Sequence, residues 1–275
     1  MIVVLRAGPL TTVQDLGRPG YAHLGVPRSG ALDVPALRLA NDLVGNPATA
    51  AGLETTLLGC RLRFSDARRV AVTGATAGVR VDGSPVSGVF DVPAGGVLDV
   101  GRATAGVRSY LAVAGGIDVD PVLGSRSTDT LSGLGPAHLA DGTVLPLGVA
   151  ADAMRDSPVP DPPGGGELAL GVRLGPRDDW FVTSSLFAGV YRISPVSNRV
   201  GTRLSGPGLT RVREGELPPE GVVLGAIQVP ADGQPLIFLA DHPTTGGYPV
   251  IGVVEDVTPL AQARPGTTVR FRELD

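Results

Sequence analysis

Glycine and proline interrupt this chain so often that long helices have little room: it carries 40 glycines and 25 prolines in 275 residues. Proline removes a backbone donor and glycine costs conformational entropy, so each shortens the element it interrupts. Between them stand short apolar, β-branched runs such as "MIVVL", "TTLLGCRLRF", "RRVAVTG", "RSYLAVAGG", "ELALGVRLG", "GVVLGAIQVP", "PLIFLAD", "YPVIGVV" and "TTVRFREL". Turn residues bound nearly all of them. The pattern predicts a mainly β chain, built as barrels or sandwiches. In "VRVDGSPV" the Asp82-Gly83 pair is the hairpin signal.

The helices expected are few. "DVPALRLANDLVGNP" has Asp33 as N-cap, Pro35 in the first turn and Gly45 just past the end, with Ala36, Leu37, Ala40, Leu43 and Val44 at helical spacing. "VTPLAQARPG" predicts a short helix capped by Thr258 with Pro259 at its first position. "PRDDWFVTSSLFAG" predicts a third. The stretch "MRDSPVPDPPGGG" has no hydrophobic period, so the boundary is expected there: a first domain over 1–154, a linker over 155–166 and a second domain over 167–275. A faint echo between "YAHLGVPRSG" and "YRISPVSNRVG" suggests duplication of one barrel.

Composition excludes several chemistries. All 23 basic residues are arginine, so Schiff-base and P-loop lysines are absent, and no biotin can be attached to this chain. Cys60 is alone, and His23, His138 and His242 lie too far apart for a metal-ligand spacing, so no metal site is expected. A net charge of −4 argues against nucleic acid as partner. No run is long enough for a signal peptide or a membrane span, so the expected location is cytoplasmic, with no membrane partner.

Three polar constellations remain as candidate sites. In "TTVQDLGRPGYAHLGVPRSGALD" polar side chains stand at fixed steps from turn formers: Asp15 reads as a turn residue, while Arg18, Tyr21 and Ser29 read as ligand contacts. In "FLADHPTTGGYPVIG" a strand delivers Asp241 and His242, followed by Thr244, Thr245, Gly246, Gly247 and Tyr248. Hydroxyls flanking a Gly-Gly pair suit an anion, with Asp241 and Tyr248 as candidate catalytic residues. In "SNRVGTRLSGP" Arg199 has the fork for a carboxylate or phosphate. Gln228 offers an amide to a lactam or urea group, and Arg126 stands in the polar loop "VLGSRSTDT". Each also has an ordinary reading as a turn or packing residue.

The ordered motifs "GPLTTVQDLGRPGY", "YLAVAGGI…VLGSRST", "SNRVGTRLSGP", "IQVPADGQPLIFLADHPTTGGYP" and "LAQARPG" carry a resemblance over almost the whole chain. It resembles the carboxyltransferase-type family that includes component C of 5-oxoprolinase, allophanate hydrolase subunit 2 and the KipA proteins. It is also similar to half of the carboxyltransferase region of urea carboxylase. The resemblance implies two cyclophilin-like β-barrel subdomains. It implies a smaller, KipI-like component B as partner, with a component A as well in the oxoprolinase system. The activity implied is opening of 5-oxoproline to glutamate with ATP as cofactor. The alternatives are allophanate or urea chemistry, or a KipA-type regulatory role. Asn198, Val200, Thr202, His242-Pro243 and Cys60 depart from the usual pattern and bear on the substrate more than on the fold.

Overall fold

The computed structural model describes residues 1–150 and 166–275. The linker expected over 155–166 lies outside the described residues except for Gly166. The chain forms two compact units: Met1–Arg18, Ser29–Asp129 and Gly133–Gly164 make the first, and Pro19–Arg28, Thr130–Ser132 and Gly165–Asp275 the second.

The first unit is a curled nine-stranded sheet. Its strands are β1 (Ile2–Arg6), β2 (Thr11–Gln14), β3 (Gly52–Thr56), β4 (Arg61–Phe64), β5 (Arg68–Val81), β6 (Ser84–Val86), β7 (Val89–Val92), β8 (Val97–Val113) and β9 (Val144–Leu145). The spine is the long antiparallel pair of β5 and β8, whose register shifts around Gly74, Thr76 and Ala77 as the ribbon bends. The Asp82-Gly83 turn closes β5 onto β6, both residues at positive φ (48° and 84°), as the sequence predicts. One apolar cluster, with Val13, Leu53, Leu62, Phe64, Leu98 and Leu111, fills the core.

Helix α1 (Val34–Leu43) covers another part of β5 and β8. Asp33 caps it, accepting a bond from the Ala36 amide at 3.0 Å. Its Ala40 and Leu43 pack on Ala71 and Ala112, and its Leu37 on Tyr110. Small residues on the strands let the helix lie close. Beneath it, the Tyr110 hydroxyl donates to Glu54 Oε2 and accepts from the Asp33 amide, both at 2.8 Å.

The second unit contains a closed seven-stranded barrel. Its strands are β10 (Leu168–Leu174), β11 (Tyr191–Ile193), β12 (Gly201–Ser205), β14 (Ala226–Gln228), β15 (Leu236–Phe238), β17 (Val250–Val254) and β18 (Thr268–Glu273). They follow the order β10-β17-β14-β15-β12-β11-β18, and parallel pairing of β10 with β18 closes the ring. A two-stranded ribbon of β13 (Glu220–Gly221) and β16 (Thr245–Gly246) stands beside it. Alternation places Tyr191 and Ile193 inside and Arg192 outside.

Two helix expectations change in detail. Helix α3 (Thr258–Gln262) begins at Thr258 itself, so the N-cap is Val257 and not Thr258, and it has no side-chain cap; the Thr258 amide donates to Asp256 Oδ1 at 2.8 Å. The "PRDDWFVTSSLFAG" segment splits into a 3₁₀ turn at Asp178–Trp180 and helix α2 (Ser184–Ala188), because Phe181 is extended and bridges to Arg211. The echo between Tyr21 and Tyr191 is not structural: Tyr21 precedes a 3₁₀ turn, whereas Tyr191 opens a strand.

Candidate functional site

Strand β15 leads through Leu239 and Ala240 into Asp241, which is fully buried. Arg199, 1% exposed, meets it with its whole fork: Nε donates to Oδ2 at 2.9 Å and Nη2 to Oδ1 at 3.0 Å. Oδ2 also accepts from the Thr130 amide at 3.0 Å and the Thr130 hydroxyl at 2.6 Å. Burial pushes the Asp241 carboxyl up, but the Arg199 charge and fork with the two Thr130 bonds outweigh it and hold the group below the usual carboxylate range. Asp241 is therefore an ionised anchor, with the Arg199 fork and both Thr130 donors on its two oxygens. The sequence reading gave the Arg199 fork to a ligand's carboxylate; in the structure the carboxylate it grips is that of Asp241. The geometry makes Asp241 an orienting group for Arg199, with Thr130 as a third member that the sequence reading did not single out.

The anchor starts the loop that carries the hydroxyls. His242 turns back on it, its Nδ1 at 2.6 Å from the Pro243 carbonyl and its ring 5.9 Å from that of Phe238, as a packing residue. The Thr244 carbonyl accepts the Val222 amide at 3.0 Å, and Thr245 and Gly246 pair with Gly221 and Glu220. Gln228, at the end of β14, donates its side-chain amide to the Tyr248 carbonyl at 3.1 Å. That bond gives Gly246 its reason: a Cβ there would stand 2.4 Å from Gln228 Nε2. Gly247 is different. Its φ is not in the left-handed region, and a Cβ there would touch only the Leu217 carbonyl at an ordinary 3.7 Å. Thr245, Gly247 and Tyr248 are exposed, Tyr248 by 50%. Thr244, Thr245, Gly246, Gly247, Tyr248 and Gln228 thus form one loop and its brace.

In the first unit, Arg18 and Ser29 bind carbonyls of the loop at 122–128, and Arg126 reaches out from that loop to the segment before it. Arg18 donates from Nε to the Val122 carbonyl at 3.2 Å and from Nη2 to the Ser127 carbonyl. Ser29, at φ 50°, donates to the Thr128 carbonyl at 2.9 Å. Arg126 reaches the Val119 carbonyl at 2.6 Å and Asp118 at 2.8 Å. These bonds to the protein's own acceptors give the three side chains a loop-holding geometry. Tyr21 belongs to the second unit, where its carbonyl accepts the Leu24 amide and closes a 3₁₀ turn.

A family model described as the carboxyltransferase domain, subdomain A and B, matches residues 24–273. The chain belongs to the carboxyltransferase domain family. It is similar to component C of the 5-oxoprolinase of Escherichia coli, with 42% identity over 98% of this chain and 90% of that protein. It is also similar to urea amidolyase of Saccharomyces cerevisiae, with 34% identity over 98% of this chain but 16% of that much longer protein. Among solved structures, the urea amidolyase of K. lactis superposes with a TM-score of 0.91 at 33% identity, covering 100% of this chain and 19% of that one. The carboxyltransferase domain match takes in the Arg199–Asp241 anchor and the whole 242–248 loop; Arg18 and Tyr21 lie ahead of its first matched residue.

Proposed function

We propose that this chain is component C of an ATP-dependent 5-oxoprolinase, acting with a KipI-like component B and a component A to open 5-oxo-L-proline to L-glutamate with ATP hydrolysis. The observation that carries the reading is the end-to-end match to a component C of 5-oxoprolinase, 42% identical over 90% of that protein. A five-membered lactam resists water. Transfer of the γ-phosphoryl group of ATP to its carbonyl oxygen releases ADP and makes the carbonyl carbon electrophilic; one water adds there and the ring nitrogen leaves as the amine, giving an acyl phosphate that a second water hydrolyses to the carboxylate and inorganic phosphate. On this reading the 242–248 loop faces the substrate, with Thr244, Thr245 and the Gly247 backbone as donors and Tyr248 as a wall. Asp241 and Arg199 hold the loop's base and do not exchange protons. A second reading, carboxyl transfer in urea or allophanate chemistry, draws on the urea amidolyase likeness. There biotin arrives on another chain, since this one has no lysine to carry it.

The test is reconstitution. Co-expressed with components B and A, the chain is expected to support ATP hydrolysis that depends on 5-oxo-L-proline; alone it is expected to show none. ATP turnover indifferent to 5-oxoproline but stimulated by urea or allophanate would overturn the reading in favour of the second.

A glycine pair tests the loop separately. Gly246→Ala drives a methyl group into the Gln228 brace and is expected to lower stability by about 1–3 kcal/mol. Gly247→Ala meets only the Leu217 carbonyl, at an ordinary contact distance, so its melting temperature should match wild type while turnover of the complex falls. Unchanged turnover in a folded Gly247→Ala complex would remove the loop from the site.

A further inference from the structure

Three arginines stand at or beside the short bridge that joins Phe181 to Arg211 in the second unit, and two have carboxylates. Arg177 binds Glu220, with Nε to Oε2 at 3.0 Å, and Arg213 binds Asp179 at 2.7 Å. Arg211, half-buried, has no ion pair among the described residues. Its Nη2 donates to the Val229 carbonyl at 2.9 Å, and its Nε is buried with no hydrogen-bond partner. A buried donor of the group thus lacks a counter-charge, although acidic residues stand on both neighbouring arginines. A buried donor left without an acceptor calls for an explanation. The position is rigid as well. The Val212 amide donates to the Trp180 carbonyl at 2.8 Å and the Val182 amide to the Thr210 carbonyl at 3.4 Å, so the backbone on both sides of Arg211 is held.

The carbonyl that Arg211 holds places it. Val229 follows Gln228, whose amide braces the Tyr248 carbonyl, and the Val229 amide donates to the Pro249 carbonyl at 3.0 Å. Arg211 is therefore attached to the same end of β14 as the Thr245-Gly246-Gly247-Tyr248 loop, in which Thr245, Gly247 and Tyr248 are exposed. We propose that Arg211 is the cation of an anion-binding subsite at this end of the second unit, taking a carboxylate or a phosphoryl group. A planar guanidinium with one nitrogen fixed on a carbonyl still presents donors to an oxyanion. It also supplies the charge that the loop's hydroxyls and amides lack, a role that Arg199 is not placed to fill while its fork holds Asp241. Naming 5-oxo-L-proline as the source of the carboxylate rests on the function proposed above; the subsite itself does not.

The full chain would be titrated with inorganic phosphate, with 5-oxo-L-proline, and with 2-pyrrolidinone, which is the same lactam without its carboxylate. Binding would be followed by calorimetry and by the side-chain Nε–H resonance of Arg211. Saturable binding of phosphate or 5-oxoproline, a shift of that resonance, and no binding of pyrrolidinone are expected. Arg211→Gln should weaken the anion by about tenfold or more. Arg213→Gln, whose guanidinium is already paired with Asp179, should change it less than about twofold. Binding of phosphate without 5-oxoproline supports the subsite and counts against the substrate reading. Equal weakening by both variants would show diffuse charge attraction and overturn the proposal. So would the absence of saturable binding of either anion, or a stationary Arg211 resonance in the wild-type chain, a readout that stands even where Arg211→Gln fails to fold.

Discussion

Asp241→Ala is expected to destabilise the second unit by about 3–5 kcal/mol, because it leaves the buried Arg199 guanidinium without its counter-charge. Arg199→Ala should cost a similar amount, since it removes the guanidinium charge and its two hydrogen bonds from the buried Asp241 carboxylate. The double replacement Arg199→Met with Asp241→Leu should recover part of the loss, because the two apolar groups need no partners although the Thr130 amide and hydroxyl lose theirs. Trp180 is the only tryptophan, is buried and lies in this unit, so its fluorescence in a denaturant titration reports the relevant transition. Single variants that lose less than about 1 kcal/mol would mean that the pair contributes no more than a surface contact. Acid gives an independent check. The Asp241 carboxyl is held below its unfolded value of about 3.9, so its contribution is complete above that pH and is lost as pH falls through the lower folded value. Wild type and Asp241→Ala should converge only in that acid range, with a constant gap between about pH 5 and 8.

The elements that local rules specify could be read from the chain. Asp33 is a cap because Asp, Pro and a 3.6-residue apolar period stand in the right order, and the structure shows the bond to Ala36. Asp82-Gly83 makes its hairpin because both positions need positive φ. Strand existence followed from β-branched runs between turn formers. What could not be read depends on partners far away in sequence. Asp241 reads as a turn residue, a catalytic acid or a group that orients Arg199 or a water, and only the structure decides among these, with Arg199, 42 residues away, and Thr130, 111 residues away, on its two oxygens. The assignment of residues 19–28 and 130–132 to the second unit has no compositional mark. The glycine pair shows the same limit: Gly246 and Gly247 look alike in the sequence, yet only Gly246 has a side chain pressed against it. Arg211 stands in "LTRVREGE" among charged neighbours, and only the ion pairs of Arg177 and Arg213 show that it is the one left over.

Asp15→Ala is expected to release the loop at 122–128 and to cost the first unit about 3 kcal/mol. The carboxylate accepts four donors: on Oδ1 the Gly17 amide at 2.8 Å and the Ser125 and Ser127 hydroxyls at 2.6 Å each, and on Oδ2 the Arg126 amide at 2.6 Å. Bonds to a charged acceptor contribute about 1.5–3 kcal/mol apiece and overlap when they share one group, so the total lies well below their sum. The loop needs this hold. Leu123 sits at φ 51°, a conformation that a leucine adopts only under constraint, in the turn that Arg18 also grips through the Val122 carbonyl. Without Asp15, two hydroxyls and two amides lose their acceptor while the strain at Leu123 stays. Amide hydrogen exchange at Arg126 should rise by about a hundredfold, because opening the loop no longer breaks a charge-assisted bond. Asp15→Asn keeps one acceptor oxygen but turns an amide group toward the remaining donors, so its effect should fall between alanine and wild type. Protection at Arg126 that survives both replacements would show that Arg18 and the Leu123-Gly124 turn hold the loop without Asp15, and that the carboxylate in "QDLGRPG" serves something other than the fold.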